Sequence, residues 1–240
     1  MKIFEYDITD STNTRAREYA RECGAELPAV FVANGQSAGR GRRGRSFDSE
    51  RGAGLYISFL FEPRGGEFDP VSITVRAAVA LCFAIKKVCG IEAGIKWVND
   101  IYLDGRKLAG ILAEGEFDAD GKMKYAVCGI GVNILSRPFP PEIADIATAL
   151  EDHLGYKPDV KLLREALISE FFRERTREEI MTEYRRLSTV IGRTVEVRTL
   201  TGESFTAFAE AISDGGELSV RCDDGRTLSL ISAEVSVKMK

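Results

Sequence analysis

The stretch Ile101-Tyr102-Leu103-Asp104-Gly105-Arg106-Lys107-Leu108-Ala109-Gly110-Ile111-Leu112 places an Asp-Gly pair between two apolar runs. Asp-Gly is typical of the tight turn that joins two antiparallel strands. A second turn signal at residues 118–121 precedes a third apolar run at residues 125–134. We therefore predict an antiparallel meander whose strands are residues 101–103, 108–114 and 125–134.

Two helices and three further strands are predicted on the N-terminal side of this meander. One helix begins at Ser11, a good N-cap residue, and ends at Gly24. A second helix runs from Asp69-Pro70 to Cys89, and we expect it to be buried centrally because its apolar residues cover nearly every face. The strands are predicted at residues 2–8, 29–33 and 55–61.

The pattern changes twice on the C-terminal side. Two helical segments are predicted at residues 142–153 and 160–187. Beyond them, short alternating runs are separated by turn signals about ten residues apart, as in a small β-barrel. We therefore predict an α+β chain: a domain at residues 1–189, with a mixed or antiparallel sheet packed with helices, and a small barrel at residues 190–240.

The composition is that of an ordinary globular protein. The 240 residues include 33 basic and 37 acidic side chains and one histidine, so the net charge is −4. Hydrophobic residues make up 44% and charged residues 29%, which excludes disordered and collagen-like chains. The apolar runs fall short of the ~20 residues of a membrane span, and residues 1–5 lack the layout of a signal peptide. We expect a cytoplasmic protein without membrane contact.

Histidine and cysteine are sparse. The five cysteines contain no C-x-x-C pair, and His153 is the only imidazole. A disulfide framework, a zinc cluster and a histidine-dependent catalytic triad are therefore not expected. If the chain is an enzyme, its chemistry must depend on Lys, Arg, Asp and backbone amides.

The segment Gly39-Arg40-Gly41-Arg42-Arg43-Gly44-Arg45 carries four guanidinium groups on a glycine-rich backbone. Guanidinium groups bind carboxylate or phosphate through paired hydrogen bonds, and glycine lets backbone N–H groups approach the same anion. A solvated basic loop is the alternative. The segment also matches G-x-G-x-x-G, but no helical pattern follows it, so we reject a dinucleotide-binding fold.

A second polar cluster, Lys96-Trp97-Val98-Asn99-Asp100, lies just before the meander. Strand alternation places Lys96 and Asp100 on the same face. A lysine for phosphate and an aspartate for Mg²⁺ are groups that nucleotide chemistry requires. Ordinary turn formation by Asn-Asp is the alternative.

Two glycine-containing strands supply further candidates. Lys107 precedes Gly110, whose place inside an apolar strand indicates close approach of a ligand or of backbone. Lys107 could bind a carboxylate and stabilise phosphate charge, or only extend into solvent. Gly129 and Gly131 could expose amides to a pocket, with a β-bulge as the alternative.

These clusters follow Ser11-Thr12-Asn13 in the order found in bacterial biotin protein ligases, and the chain resembles that family over nearly its whole length. The resemblance implies an SH3-like C-terminal barrel, and a homodimer is a family expectation. The resemblance is to the short, monofunctional form of the family. Because only ten residues precede Ser11, we expect no helix-turn-helix domain and no DNA binding.

The resemblance implies a two-step reaction. Biotin carboxylate attacks the α-phosphate of ATP, bound with Mg²⁺, to give biotinyl-5′-adenylate and pyrophosphate. A lysine of a biotin carboxyl carrier protein then attacks the mixed anhydride. Both steps concentrate negative charge near one phosphate, which cationic side chains and a metal can stabilise.

The resemblance also assigns roles to residues. Lys107, Arg42 and Asp100 are the expected catalytic group, with Asp100 as metal ligand and Arg42 as the side chain that retains the adenylate. The expected biotin-binding residues are Ser11, Thr12, Asn13, Gln36, Gly39, Arg40, Arg42, Lys107, Gly110, Gly129 and Gly131. The expected nucleotide-binding residues are Arg42, Arg43, Arg45, Phe47, Lys96, Asn99 and Asn133.

Three positions depart from the family pattern. Phe47 stands where family members commonly have a Trp that stacks on adenine, and a phenyl ring can stack with less area. Val98 stands where they usually have Pro. Ala233 stands where they often have Gly, in a segment, residues 232–236, that we expect near the nucleotide.

Two other functions stay open. Lipoate or octanoate attachment uses the same catalytic fold, although the arginine-rich segment and the added barrel favour biotin. A non-enzymatic nucleic-acid-binding module is the second alternative. Residues 190–240 contain six basic and eight acidic side chains. This excess of acidic side chains does not favour binding of a nucleic acid, which is a polyanion.

Overall fold

The computed structural model describes residues 1–22, 24–62, 70–120, 123–199, 201–231 and 233–237. In these residues the helices are α1 (Thr12–Arg21), α2 (Pro70–Cys89), α3 (Leu150–Leu154), α4 (Val160–Phe172) and α5 (Arg177–Arg186). The strands are β1 (Lys2–Thr9), β2 (Ala29–Gln36), β3 (Gly54–Phe61), β4 (Gly94–Lys96), β5 (Asp100–Leu103), β6 (Arg106–Phe117), β7 (Met123–Asn133), β8 (Thr194–Arg198), β9 (Ser204–Ile212), β10 (Leu218–Cys222), β11 (Thr227–Leu230) and β12 (Glu234–Val237).

The first seven strands form one mixed sheet in the order β1-β2-β3-β7-β6-β5-β4. β1 and β2 are parallel and joined through α1, as parallel strands require, while the other neighbouring pairs are antiparallel. β5, β6 and β7 are sequential neighbours, which confirms the predicted meander. Its first turn has positive φ at Asp104 and Gly105, as a tight hairpin turn requires.

The helices cover the sheet with α2 at the centre. α2 contacts β5, β6 and β7 and also packs against α4 and α5, and most of its residues from Ile73 to Ile85 are buried. Phe59 of β3 stacks on Phe171 of α4, with 4.0 Å between ring centroids. This confirms the predicted central helix; Asp69, its predicted cap, lies outside the described residues. None of the described helices has the length and apolarity to cross a bilayer.

The two helix predictions after the meander need correction. Within residues 142–153 only α3 is helical, because Ala147 pairs with Lys107 of β6 instead. The predicted helix at 160–187 is two helices. Thr176 and Glu179 form a capping box that begins α5: Thr176 Oγ1 accepts from Glu179 N (3.2 Å), and Thr176 N donates to Glu179 Oε2 (2.7 Å).

At the N-terminus, the first helix is shorter than predicted. α1 ends at Arg21, three residues before Gly24. Ser11 has the extended backbone of an N-cap residue, but its side chain makes no capping hydrogen bond. The hydroxyl of Ser11 lies instead at a cavity described below.

The last five strands form a second, antiparallel sheet in the order β11-β10-β9-β8-β12. It contacts the first part of the chain through side chains that bond to its backbone. Trp97 Nε1 donates to Gly216 O (2.8 Å), and Arg185 Nε of α5 donates to Ile212 O (2.7 Å). A small C-terminal β unit is therefore present, while a domain boundary at residue 189 stays a prediction.

Candidate functional site

A cavity of about 340 Å³ lies where α1, the end of β2 and strands β4–β7 meet the second sheet. Residues 39–47, called the arginine loop below, form one of its walls. The predicted site residues that line the cavity are Ser11, Thr12, Asn13, Gln36, Arg40, Arg42, Arg43, Arg45, Phe47, Lys96, Asn99, Asp100, Lys107, Gly110, Gly129 and Gly131.

One end of the cavity presents neutral hydrogen-bonding groups. Gln36 Oε1 accepts from Thr12 N (2.8 Å) and Thr12 Oγ1 (3.1 Å), and Gln36 Nε2 donates to Ser49 Oγ (2.9 Å). Ser58, fully buried in β3, lies 2.5 Å from Asn13 Oδ1, to which its hydroxyl donates. These bonds hold the Thr12, Asn13 and Gln36 side chains in fixed orientations at the cavity wall.

Glycines on β6 and β7 make room at the cavity floor. Gly110 and Gly131 are opposite each other in the β6–β7 ladder. A Cβ on Gly131 would lie 2.5 Å from Phe47 Cε1, and a Cβ on Gly129 would overlap Asn13 Oδ1. At Gly129 and Gly131 a larger residue would force these neighbouring side chains to move, whereas a Cβ on Gly110 would make only ordinary contacts at 3.4 Å.

The arginine loop crosses the cavity through a single 3₁₀ turn at Arg42–Gly44, in which Arg43 has φ 58°. Arg42 Nη1 donates to Asn99 Oδ1 (3.0 Å), which connects the loop to the turn before β5. Burial, aided by the charge of Arg43, lowers the pKa of Arg42. Because burial makes this positive charge costly, an anion bound beside it would be stabilised.

The other end of the cavity is cationic. Asp100 Oδ1 pairs with Lys107 Nζ (2.7 Å) and accepts from Asn99 Nδ2 (3.1 Å). Lys96 Nζ donates to the hydroxyl of Tyr102 (3.0 Å). Burial, with the charge of Asp100, raises the pKa of Tyr102 to about 12, so this phenol stays neutral near pH 7. Lys96, Lys107 and the arginine loop thus place several positive charges around the carboxylate of Asp100.

Phe47 supplies the aromatic surface of the cavity. Its ring lies over Gly110 and Gly131 and contacts Tyr56 edge-on, with 6.5 Å between centroids. An aromatic face on a glycine floor can accept a planar ring.

Two of the predicted site residues do not line the cavity. Gly39 lies behind its wall, where a Cβ would overlap Phe47 O and Ser49 Oγ. Asn133 is buried, and its Nδ2 donates to Thr148 O (3.0 Å), which ties the end of β7 to the segment before α3. In this structure the side chain of Asn133 therefore connects two segments of the backbone.

Comparison with known proteins decides the family. Residues 5–133, more than half of the chain, match the model of the biotin/lipoate A/B protein ligase family, and residues 190–238 match the biotin protein ligase C-terminal domain. The chain belongs to the biotin/lipoate A/B protein ligase family. This confirms the resemblance that the ordered motifs indicated.

Relatives in this family cover almost the whole chain. The biotin–[acetyl-CoA-carboxylase] ligase of Paracoccus denitrificans is 34% identical over 238 residues, 95% of this chain and 97% of that protein. The bifunctional ligase/repressor BirA of Bacillus subtilis is 33% identical, over 93% of this chain and 70% of that protein.

A solved structure of the family has the same architecture. The biotin protein ligase of Aquifex aeolicus, in complex with biotin and ATP, aligns with a TM-score of 0.81 at 26% identity and covers 100% of this chain and 99% of that chain. The predicted fold class, a helix-packed mixed sheet with a small C-terminal β unit, is thereby confirmed.

Several residues that line the cavity were not predicted as site residues. Tyr102 follows Asp100 by two positions, so strand alternation could have placed it on the same face. No sequence pattern marked Ile146 as a site residue. It lies at the cavity because its neighbour Ala147 pairs with Lys107 of β6. The further lining residues that were not predicted are Gly41, Ser46, Trp97, Ile111, Leu112 and Ile130. Ala233 and Val235 also line the cavity, and they belong to the segment 232–236 that we expected near the nucleotide. Ser232 of that segment lies outside the described residues.

His153 has a structural role outside the ligase cavity. Its ring nitrogens lie 2.9 Å from Thr148 Oγ1 and 3.0 Å from Asp104 Oδ2. These contacts connect α3 to the turn between β5 and β6. In the described part of the chain, no group of three His, Cys, Asp or Glu side chains is placed to hold a metal ion.

Proposed function

We propose that this chain is a biotin–[carrier protein] ligase, which activates biotin with ATP and transfers the biotinyl group to a lysine of a biotin carboxyl carrier protein. One observation carries the proposal: a single cavity joins a neutral hydrogen-bonding end to a cationic end. Family membership and the Aquifex aeolicus ligase, solved with both biotin and ATP, support it.

The neutral end suits the ureido ring of biotin, which offers two N–H donors and a carbonyl acceptor. Ser11, Thr12, Asn13 and Gln36 offer hydroxyl and amide groups of both kinds at the cavity wall. A site built from such groups discriminates strongly against analogues that lack them, because its own polar atoms would be left unpaired.

The cationic end suits adenylation. There the biotin carboxylate attacks the α-phosphorus of ATP, the bond to the bridging oxygen breaks, and pyrophosphate leaves. Lys107 and Arg42 stabilise the negative charge that gathers on the phosphate oxygens, while Lys96 and Arg45 bind the remaining phosphates. Positioning and electrostatics supply this catalysis, without a covalent enzyme intermediate.

We propose Mg²⁺ as the metal, with Asp100 as its protein ligand. The Asp100 side chain is 22% exposed, and its bonds to Lys107 and Asn99 both fall on Oδ1. Mg²⁺ usually takes one or two protein carboxylates and completes its shell with water and substrate phosphates. A single aspartate among phosphate-binding cations fits that mode, and the ion would offset phosphate charge.

In the second step, the amine of the carrier lysine attacks the carbonyl carbon of the mixed anhydride, and AMP leaves with the bonding electron pair. Arg42 and its neighbours in the arginine loop hold the adenylate and exclude water, which would otherwise hydrolyse it. Relatives named biotin–[acetyl-CoA-carboxylase] ligases support a carboxylase carrier domain as the acceptor.

Three further properties are proposed with this function, from the sequence pattern and the family resemblance. They are cytoplasmic location, a homodimer and the absence of DNA binding. Cell fractionation, analytical ultracentrifugation and a salt-dependent DNA-binding assay test them in turn.

The test of the proposed function is adenylate formation. Purified protein is incubated with Mg·ATP and either biotin, lipoate or octanoate, and the products are identified by mass spectrometry. We expect biotinyl-adenylate and pyrophosphate from biotin alone. Lipoyl- or octanoyl-adenylate without biotinyl-adenylate would instead assign the chain to the other branch of its family.

A further inference from the structure

Glu114 of β6 lies just outside the cavity lining and binds two residues that form it. Its Oε2 accepts from Asn13 Nδ2 (2.7 Å) and from Arg40 Nη2 (2.8 Å). Arg17 Nη1 of α1 lies 3.6 Å from its other oxygen, Oε1. One carboxylate thus contacts the neutral end of the cavity, the start of the arginine loop and α1.

The position of Glu114 makes these contacts stronger than those of a surface ion pair. Its side chain is 24% exposed, so its charge is partly desolvated. Hydrogen bonds in which the donor or the acceptor is ionised are shorter and stronger than those between neutral groups. The carboxylate also fixes the amide of Asn13: because Nδ2 is held by Glu114, Oδ1 faces Ser58.

The hydrogen bonds continue from Asn13 to the far end of the arginine loop. Ser58 lies within hydrogen-bond distance of both Asn13 and Thr12, at 2.5 and 2.7 Å. Thr12 bonds to Gln36, Gln36 bonds to Ser49, and Ser49 Oγ donates to Phe47 O (2.9 Å). The loop is therefore anchored near its start and at its end by one network that passes through the expected biotin-binding side chains.

We propose that Glu114 is a positioning residue for biotin binding, which acts through Asn13 and Arg40. It fixes the orientation of the Asn13 amide at the cavity wall and holds the start of the arginine loop against β6. This inference rests on the proposed function, because biotin is the ligand whose binding it explains. It predicts an effect on biotin and on retention of the adenylate, and little effect on ATP.

The test compares Glu114→Gln with Glu116→Gln in the full-length protein. Glu116 is a matched control, since it lies two residues along the same strand and pairs with Arg21 (3.3 Å) away from the cavity. We expect Glu114→Gln to raise the KM for biotin and the dissociation rate of the adenylate about 10-fold, the scale of a lost charge-assisted hydrogen bond. The KM for ATP should change less than twofold in both variants.

Combined variants separate positioning from a general loss of structure. If Glu114 acts through its two partners, Glu114→Gln should add little to the biotin KM in an Asn13→Ala, Arg40→Ala background. Glu114→Asp, which keeps the charge, should restore part of the biotin affinity.

The outcomes distinguish the inference from the proposed function. Equal biotin KM and adenylate retention in the Glu114→Gln and Glu116→Gln variants would overturn the inference, as would equal losses for biotin and ATP. Failure of the unmodified protein to form biotinyl-adenylate would overturn the proposed function itself.

Discussion

Lys107 is the residue on which we expect adenylation to depend most directly. Its Nζ lies 2.7 Å from Asp100 Oδ1 at the cationic end of the cavity, where it can move from the carboxylate to the phosphate oxygens. We predict that Lys107→Ala lowers the rate of biotin-dependent pyrophosphate release by roughly 100-fold or more, the scale of one lost charge-stabilising donor.

The control for this substitution is Lys124→Ala, because Lys124 is exposed on β7 and is not among the cavity residues. Pyrophosphate release at saturating biotin and ATP measures both variants. If Lys107→Ala stayed within twofold of the unmodified protein, the assigned role of Lys107 would be wrong.

Beyond its part in adenylation, Arg42 is expected to retain the adenylate afterwards. Its half-buried guanidinium is bonded to Asn99, close to where the adenylate phosphate would lie. We predict that Arg42→Gly raises the dissociation rate of biotinyl-adenylate about 10-fold or more, because a charge-assisted bond to phosphate is lost.

Release of adenylate from a preformed complex, followed by rapid filtration, measures this effect. Arg51→Gly is the control, since Arg51 is exposed and pairs with Asp7 (2.9 Å). An Arg42→Gly variant that held and discharged the adenylate like the unmodified protein would contradict the role.

The sequence indicated which single residues line the cavity where they belong to short, chemically distinctive motifs, while their roles stay predictions. Arg42, Lys107 and Asp100 needed only their own neighbours in the sequence to be recognised. Glu114 was not predicted, because its partner Asn13 is 101 positions away and only the sheet register brings the two together. The nucleotide role predicted for Asn133 lacks support from the cavity, since its amide bonds to the Thr148 carbonyl.

At the scale of secondary-structure elements, the glycines of β7 form a surface on which Phe47 lies. We predict that Gly131→Ala lowers the free energy of unfolding by about 1–3 kcal/mol, because its Cβ would force the Phe47 ring away. Urea unfolding followed by circular dichroism measures the change.

The control for the glycine prediction is the same substitution in a Phe47→Ala background. Without the Phe47 ring, Gly131→Ala should lower the free energy of unfolding much less. If Gly131→Ala lowered the free energy of unfolding equally in both backgrounds, a clash with Phe47 would not be the cause.

Elements were predicted where local turn signals are strong. The Asp104-Gly105 pair was sufficient to indicate the β5–β6 hairpin, and the apolar run of α2 indicated a central helix. The break between α4 and α5 was missed because residues 173–176 include no Gly or Pro, and a capping box between Thr176 and Glu179 decides the start of α5. The helix predicted at 142–153 is reduced to α3, because Ala147 pairs with Lys107 of β6.

At the scale of the whole molecule, the second sheet is connected by hydrogen bonds to the preceding part of the chain. Trp97, the only tryptophan and 4% exposed, donates to Gly216 O, and Arg185 donates to Ile212 O. We predict that the chain unfolds in one cooperative transition, with the same urea midpoint by Trp97 fluorescence and by far-ultraviolet circular dichroism.

Two separate midpoints in that experiment would show that the second sheet unfolds independently of the first. The C-terminal β unit itself was predicted from its regularly spaced turn signals. Its contact with Trp97 could not be predicted, because that bond joins residues 119 positions apart and uses a backbone carbonyl, which any residue provides.

In the proposed function, one cavity both makes biotinyl-adenylate and delivers it to a carrier lysine. The most direct measurement isolates the protein after incubation with biotin and Mg·ATP, adds a biotin carboxyl carrier domain without further ATP, and follows the carrier mass. We predict one biotinyl group on the acceptor lysine, released AMP, and no modification of a carrier with that lysine changed to arginine. A carrier that stayed unmodified while the bound adenylate persisted or hydrolysed would contradict the account.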